Sequence, residues 1–346
     1  MNLVNIRDVA RKASVSPGTV SRILNNDPSL SVNEKTREKV YRICEELNYI
    51  PRKYKNRSQR NSIGIISAIS REEEIDDLYY RQIREKIVRS SKELNYRVDF
   101  MIYLPNLENS WDRVKEVDCI IVIGYIQQEI HQQIYQLNQQ LIIVDDYYCS
   151  SEYSSVSVNF HKEMLDILDY VYSMGHRRIA FIGGKNQRLM LNNDHVPDGL
   201  GDREQAYVDW ITAHKLDCRA FIGKQWYAQS GYDLTNQLLK EEKELPTVII
   251  AASDMLALGI LRRLNEEKIE VPKNISICSF DDLEIAGFLT PSLTTLKIDI
   301  DKMVFWIMKL CQNMMSEKEN LPTQIVLTGK LIERESLQSI DQMEIL

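Results

Sequence analysis

Hydrophobic positions near the start of the chain repeat with the spacing of short helices. A first helix presents one apolar face, formed by Ile6, Val9, Ala10 and Ala13. A second helix is predicted to begin at Ser16-Pro17, because serine caps helices and proline fits the first helical position. A third begins at the capping box Ser31–Glu34 and ends before Pro51. Three short helices, the first two joined by the three-residue turn 14–16, predict a helix-turn-helix module.

From Ser62 onward, short apolar runs alternate with amphipathic stretches such as Tyr80–Leu94 and Ser253–Lys268. This alternation predicts an α/β fold: a three-helix headpiece followed by a two-lobed core of doubly wound parallel sheets. Ligands of such sheets bind beyond the carboxyl ends of the strands. The predicted strands are Ile63–Ser67, Val98–Tyr103, Cys119–Ile123, Leu141–Asp145, Ile179–Gly183, Phe221–Gly223, Val248–Ala252 and Ile275–Phe280.

Charge is distributed unevenly between the two parts of the chain. Residues 1–61 contain 13 Lys and Arg against 6 Asp and Glu, whereas the remainder contains 30 against 44. A cationic module on an acidic body predicts binding to a phosphate backbone through the headpiece. The alternative is a merely solvated basic face on a three-helix module that packs against another protein.

Several classes of protein are disfavoured by composition. The apolar runs have strand length, far below a membrane span, and the start lacks an apolar signal segment, so we expect a cytoplasmic protein without membrane contact. The six cysteines are scattered without a CxxC pair, which disfavours a disulfide framework and a zinc site. No HExxH, GxSxG or Walker loop is present, so we predict neither an enzyme nor a cofactor.

The second predicted helix carries the chemistry that reads DNA. Arg22 can donate two hydrogen bonds to guanine in the major groove, and Thr19, Ser21 and Asn25 can hold phosphates. Pro17 and Gly18 offer no side-chain hydrogen bonds, so any readout there uses shape or backbone approach. The predicted DNA contacts of this segment are Ser16, Pro17, Gly18, Thr19, Ser21, Arg22 and Asn25.

The run from Ile6 to Pro51 resembles the signature of LacI/GalR regulators, in particular V-A-x-x-A-x-V-S-x-x-T-V-S-R-x-L-N. In that family the residues at Pro17, Gly18 and Arg22 address the bases. The resemblance continues through IAFIGG, the segment from VIIAASDMLALG to SICSFDD, and LTPSLTTLKID. It implies a periplasmic-binding-protein-like core whose chain crosses between lobes three times, near residues 158–161, 290–294 and 322–326.

This resemblance gives the expected domain boundaries. They are a headpiece at 1–50, a hinge at 51–61, an N-terminal lobe at 62–158 with 294–322, and a C-terminal lobe at 159–293 with 323–346. The tail from Glu335 is too short for several heptads, so we expect a homodimer and not a tetramer joined by a coiled coil.

Candidate effector-binding residues follow predicted strands or lie in matching family segments. They are Asp77, Tyr79, Tyr80, Arg203, Trp226, Ser253, Asp254 and Asp281. Carboxylates accept hydroxyl pairs, the guanidinium donates to hydroxyls, and aromatic faces cover the C–H groups of a sugar. Two alternatives stay open: Tyr79 or Tyr80 belongs to the core, and Asp254 caps the helix that follows it. Asp282 and His176 are interpreted as structural.

The segment IDDLYYRQIREKI resembles the repressors of galactose and evolved β-galactosidase genes. The resemblance implies a repressor of sugar catabolism that a galactose or galactoside inducer releases from operator DNA. The alternative is a catabolite regulator whose DNA binding is set by a phosphocarrier protein. Two other rivals are a transport binding protein, which the headpiece disfavours, and a glycosidase that uses Asp254 and Asp281 as its carboxylate pair.

The hinge departs from the family pattern. Residues 51–62 carry five basic residues and no acid, and Ser58 stands where the family has a leucine that wedges into the minor groove. The cations can still neutralise phosphates, and Tyr54 offers an alternative apolar plate. The DNA contacts predicted for this segment are Lys53, Tyr54, Lys55 and Arg57.

Because a serine cannot unstack base pairs as a leucine does, we predict less DNA bending and a steeper salt dependence than in leucine-hinge relatives. Energy transfer between dyes at the two ends of a bound operator measures the bend. A bend equal to that produced by leucine-hinge relatives would contradict this prediction.

Overall fold

The computed structural model describes residues 6–24, 32, 36–37, 39–40, 42–43, 61–70, 73–192, 194–197, 199–316 and 321–342. The chain divides into two compact units, Met1–Asn61 and Ser62–Leu346. Within the described ranges, no helix combines the length and apolar character that a bilayer span requires.

The first unit contains helices α1 (Ile6–Ala13) and α2 (Pro17–Leu24). As predicted, the inward face of α1 is apolar, and the amide of Val15 donates to the carbonyl of Ala10 at 3.0 Å where α1 ends. Residues 36–37, 39–40 and 42–43 are helical, as predicted for the third helix. One small core unites the helices and consists of Val9, Ala10, Ala13, Val20, Ile23, Val40 and Ile43. Asn25 and the hinge residues Lys53, Tyr54, Lys55, Arg57 and Ser58 lie outside the described residues.

The second unit alternates strands and helices along the chain. In order they are β1 (Ser62–Ser67), α3 (Leu78–Glu93), β2 (Arg97–Tyr103), α4 (Trp111–Lys115), β3 (Cys119–Ile123), α5 (Gln128–Leu137), β4 (Leu141–Val144), β5 (Ser154–Val158), α6 (Phe160–Ser173), β6 (Ile179–Gly184), β7 (Gln187–Leu189), β8 (His195–Pro197), α7 (Asp202–Ala213), β9 (Ala220–Gly223), α8 (Ala228–Glu241), β10 (Val248–Ala251), α9 (Asp254–Glu266), β11 (Ser276–Asp281), β12 (Thr294–Lys297), α10 (Ile300–Ser316), β13 (Gln324–Leu327) and β14 (Lys330–Ile332).

Two six-stranded sheets organise this unit, and each forms the centre of one lobe. The N-terminal sheet has the order β13-β5-β4-β3-β1-β2, and all of its pairs are parallel. The C-terminal sheet has the order β14-β12-β11-β10-β6-β9, and only the edge pair β12/β14 is antiparallel. The central strands β3 and β10 are buried along their full length, as expected for strands with helices on both faces.

The strand pairing corrects two of the expected lobe boundaries. Residues 294–297 were assigned to the N-terminal lobe, but they form β12 and pair with β11 of the C-terminal sheet. Residues 324–327 were assigned to the C-terminal lobe, but they form β13 and pair with β5 of the N-terminal sheet. The second and third crossings therefore fall at 298–299 and 328–329, each one strand later than expected. The first crossing lies between β5 and α6, at Asn159.

Helices α8 and α9 pack against each other with their backbones in contact. A Cβ atom on Gly259 would lie 1.8 Å from the carbonyl oxygen of Ala228, and one on Gly231 would lie 2.1 Å from that of Leu256. Neither carbonyl can move without breaking its helix. The close approach therefore requires glycine at both positions.

We predict that Gly259→Ala destabilises the protein by about 1–3 kcal/mol, because the new methyl group forces the two helices apart. Calorimetric melting should show a transition lowered by several degrees. Gly287→Ala is the matched control, since a Cβ there meets no atom of the described residues within 4 Å. Equal melting temperatures for Gly259→Ala and Gly287→Ala would show that the helix contact is not constraining.

Candidate nucleic-acid interface and effector cleft

The start of α2 is organised by Ser16. Its Oγ accepts a hydrogen bond from the Thr19 amide at 3.0 Å, so Ser16 caps the helix. The same Oγ lies 2.9 Å from the Thr19 hydroxyl. Pro17, Gly18 and Arg22 are exposed, on the side opposite the buried Val20 and Ile23. Thr19 and Ser21 are half-buried. The structure thus brings the described DNA-contact candidates together on one end and face of α2.

The described part of the headpiece leaves space for a side chain at Gly18. Among the described residues, a Cβ at this position would meet Ser16 Oγ alone, at 3.6 Å, which is ordinary contact. Alanine also favours a helix over glycine by about 1 kcal/mol. A glycine at this exposed position therefore gives up helix stability while leaving the surface open to close approach.

A cleft of about 210 Å³ opens where the carboxyl ends of strands from both sheets meet. Tyr125 and Asp145 follow β3 and β4 of the N-terminal sheet, while Lys185 and Ala252 follow β6 and β10 of the C-terminal sheet. One ordered water needs roughly 10–15 Å³, so the cleft has room for a ligand that replaces roughly 14 to 20 waters. Seven of the eight predicted effector residues line it, namely Asp77, Tyr79, Tyr80, Arg203, Trp226, Ser253 and Asp281.

Asp254 does not line the cleft, contrary to our expectation. It is fully buried and accepts hydrogen bonds from Ser279 Oγ, from Thr295 Oγ1 at 2.8 Å and from the Leu283 amide at 2.7 Å. Its carboxylate therefore links β11, β12 and the loop that follows β11. The alternative that Asp254 caps α9 is also wrong, because Ser253 Oγ accepts from the Leu256 amide at 3.3 Å.

The two residues interpreted as structural have structural contacts. The carboxylate of Asp282 pairs with Arg334, with 2.6 Å between Oδ1 and Nη2, and with the Lys297 ammonium at 3.6 Å. The buried His176 ring lies 2.9 Å from the Thr247 hydroxyl and 3.0 Å from the Gln338 carbonyl. Both sets of contacts join segments within the C-terminal lobe.

Arg203 extends from the first turn of α7 into a group of aromatic rings. Its guanidinium carbon lies 3.6 Å from the ring centre of Phe160, 4.8 Å from that of Phe280 and 5.6 Å from that of Trp226. The Nε atom is buried and has no hydrogen-bond partner within the described part of the chain. An unsatisfied buried donor costs about 1–3 kcal/mol, which a ligand oxygen would relieve. Arg203 is therefore both stacked and available to bind a ligand.

Carboxylates from both lobes face this guanidinium. Burial raises the pKa of Asp145 to about 7 and that of Asp77 to about 6, and it also raises the pKa of Asp281. The Arg203 charge opposes the shift at Asp145 and Asp281. The Tyr79 hydroxyl donates to Asp145 Oδ1 at 3.2 Å, while the Tyr79 ring is buried in the core. Tyr79 is thus a core residue and also a cleft residue.

Two of these carboxylates lie on unusual backbone. Asp145 has a φ of 63° and Asp281 a φ of 106°, in the left-handed region that favours glycine. Non-glycine residues in such regions cost of order 1–3 kcal/mol and cluster at functional sites. Asp145 follows β4 and Asp281 ends β11, so each lobe places one such residue at the cleft.

Several residues that line the cleft were not predicted from the sequence. Asp145 is the last residue of a predicted strand and Tyr125 lies two residues beyond the end of another, so the strand-end rule could have identified both. Phe160 begins α6 immediately after a crossing between lobes, and no local pattern marked it. Asp202 precedes Arg203 at the start of α7.

Comparison with known proteins identifies both units. Residues 5–52 match the model of bacterial regulatory proteins of the lacI family, and residues 168–337 match that of a periplasmic binding protein-like domain. The transcriptional repressor MelR of Bacillus subtilis (strain 168) is 31% identical, over 96% of this chain and 97% of its own length. The chain belongs to the lacI family.

Another family member, the transcriptional regulator GalR of Lacticaseibacillus casei, is 32% identical over 96% of this chain and 99% of its own length. The fold also matches a crystal structure of the lac repressor dimer bound to operator and an anti-inducer. That match has a TM-score of 0.66 at 23% identity and covers 98% of this chain and 100% of the other. The helix-turn-helix headpiece and the binding-protein-like core are thereby confirmed, and the protein is a DNA-binding transcriptional regulator.

The raised pKa of Asp145 predicts a pH-dependent stability. In the unfolded chain this carboxyl titrates near 3.8, and in the folded chain near 7. Between these values the folded state holds a proton that the unfolded state has lost, so the contribution of Asp145 to stability falls as pH rises.

We therefore expect Asp145→Asn to stabilise the protein by about 2–4 kcal/mol at pH 8, with a smaller gain at pH 5. Denaturant unfolding at the two pH values measures this difference. Asp112→Asn, at a position whose side chain is 95% exposed, is the control and should show no such trend. A gain from Asp145→Asn that is equal at pH 5 and pH 8 would contradict the raised pKa.

Proposed function

We propose that the protein represses genes of sugar catabolism as a homodimer and that galactose or a galactoside releases it from its operator. The observation that carries the sugar assignment is the cleft, where the stacked Arg203 guanidinium, whose buried Nε has no hydrogen-bond partner among the described residues, faces Asp145 of one lobe and Asp281 of the other. Sugar hydroxyls donate to carboxylates and accept from guanidinium, and aromatic rings cover apolar C–H faces. This combination fits a polyol better than an apolar ligand.

The balance of charge favours a neutral sugar over a phosphorylated one. Among the described residues that line the cleft, carboxylates outnumber cations even when the buried Asp145 and Asp281, whose pKa values are raised, hold a proton, and the remaining carboxylates would repel an anionic ligand. The acids are Glu73, Asp76, Asp77, Asp145, Asp202, Glu204 and Asp281. The bases are Lys185, Arg203 and Lys224. Similarity to a regulator named GalR supports galactose among the neutral sugars.

An enzymatic role has little support in this geometry. The carboxylate pair considered for a glycosidase was Asp254 and Asp281. Only Asp281 lines the cleft, because Asp254 is engaged in hydrogen bonds within the C-terminal lobe. We therefore propose binding of the sugar without turnover.

In the proposed mechanism, two chains pair through their cores and place two α2 helices in successive major grooves of a near-palindromic operator. The sugar contacts both lobes and changes their relative orientation, which alters the spacing of the headpieces. By thermodynamic linkage, operator DNA must weaken sugar binding by the same factor by which sugar weakens DNA binding.

A crossed pair of substitutions tests the two binding functions separately. Galactose should raise the melting temperature of the wild type and of Arg22→Met, but not that of Arg203→Met. Duplex DNA selected from a random library should bind Arg22→Met at least about tenfold more weakly, through loss of a bidentate base contact. Arg203→Met should still bind this DNA, but galactose should no longer release it. Arg219→Met, which removes an exposed ion pair with Glu241, is the control for both assays.

Other outcomes would overturn specific parts of the proposal. The melting screen includes lactose, allolactose, raffinose, glucose, ribose, maltose and phosphorylated hexoses. A shift with a phosphorylated hexose alone would refute the neutral-sugar assignment. No shift with any sugar, together with tighter DNA binding in the presence of a phosphorylated carrier protein, would favour the catabolite regulator. A galactose affinity that saturating operator leaves unchanged would refute the linkage.

A further inference from the structure

The β7–β8 hairpin leaves the C-terminal sheet and attaches to the other lobe. Leu189 forms an isolated parallel bridge with Ile126. The Leu189 amide donates to the Tyr125 carbonyl, and the Gln127 amide donates to the Leu189 carbonyl, each at 3.2 Å. The Leu189 side chain is buried in a cluster whose other members come from the N-terminal lobe. A segment that follows β6 of one lobe is thus part of the core of the other.

Arg188 anchors the hairpin through a two-pronged ion pair. Its Nη1 and Nη2 atoms lie 2.6 Å and 3.2 Å from the two carboxylate oxygens of Asp146, and Nη1 also donates to the Ile126 carbonyl at 3.0 Å. The Asp146 side chain is fully buried and that of Arg188 is 10% exposed. Removing one partner of such a pair leaves a buried charge uncompensated, so the anchor resists opening.

The anchor residues adjoin the cleft on three segments. Asp146 follows Asp145, and Ile126 follows Tyr125, so each anchoring residue is next to a residue that lines the cleft. On the hairpin itself, Gln187 and Leu189 line the cleft on either side of Arg188. A shift of Arg188 would therefore be transmitted to cleft residues in both lobes.

We propose that Arg188 is a positioning residue of the effector site, which holds the β7–β8 hairpin on the N-terminal lobe and so forms one wall of the cleft before any effector binds. A preformed wall lowers the ordering cost of binding, which raises affinity without a new contact to the ligand. Whether the hairpin is anchored does not depend on which ligand binds. The predicted effect of the anchor on affinity rests on the proposed sugar function.

Hydrogen exchange of the effector-free full chain, read by mass spectrometry, tests the anchorage. Peptides containing Leu189 and Gln127 should be protected in the wild type. Arg188→Met should speed their exchange by at least about tenfold while peptides from β6 and β10 keep wild-type rates. Asp146→Asn keeps the shape of the side chain and should give the same pattern. The double variant should add little, because both changes break one interaction.

Two further variants separate positioning from general stability. Arg188→Lys keeps the charge but not the bidentate geometry, so it should restore part of the protection. Arg219→Met alters an ion pair within the C-terminal lobe and should leave both peptides unchanged. Unaltered exchange in Arg188→Met and Asp146→Asn, or an equal rise in β6 and β10, would overturn the proposal.

Galactose titration by calorimetry tests the consequence for binding. Arg188→Met should raise the Kd by about tenfold, because the wall of the cleft is no longer held in place before the ligand binds. Arg188→Lys should raise it by less, because part of the ion pair remains. A Kd equal to that of the wild type would refute the positioning role. A wild type that binds no sugar would contradict the proposed function instead, and the exchange result would still decide whether the hairpin is anchored.

Discussion

The guanidinium of Arg203 is the cation around which the cleft is arranged. Carboxylates from both lobes are buried near it, and burial alone favours their protonated forms. The Arg203 charge opposes that tendency at Asp145, which follows a strand of the N-terminal sheet, and at Asp281, which ends a strand of the C-terminal sheet. One side chain thus stabilises charge on both walls, so the electrostatics of the site depend on the lobes being together.

Much of this arrangement could be predicted from the sequence because strand ends are easy to locate. The strongly apolar runs of β3, β6 and β10 predict where these strands end, and cleft residues follow those ends. The family resemblance identified Arg203. Strand β5 was not predicted. Its residues SSVSV are mostly small and polar, yet the strand is fully buried. Local polarity suggests a loop there, whereas pairing with β4 and β13 makes it a strand.

Asp254 illustrates a second limit of sequence-based prediction. Its position at a strand end is the same as that of true cleft residues, and its residue type fits a ligand contact. What decides its role is Ser279 on the neighbouring strand and Thr295 on the next, both of which donate to it. Such partners are distant in sequence, so no local pattern distinguishes a carboxylate that binds a ligand from one that joins strands. The same holds for Asp146, whose partner Arg188 comes from the other lobe.

The crossings between lobes are short. Only residues 328–329 separate β13 of one sheet from β14 of the other, and only 298–299 separate β12 from α10. Three Cα–Cα steps span at most about 11 Å, so each connection is close to a fixed tether. Three such tethers at one edge prevent the lobes from sliding or separating, and rotation about that edge is the motion they allow. The two lobes are therefore joined as by a hinge, and a small ligand that binds near the hinge axis can set the angle between surfaces far from it.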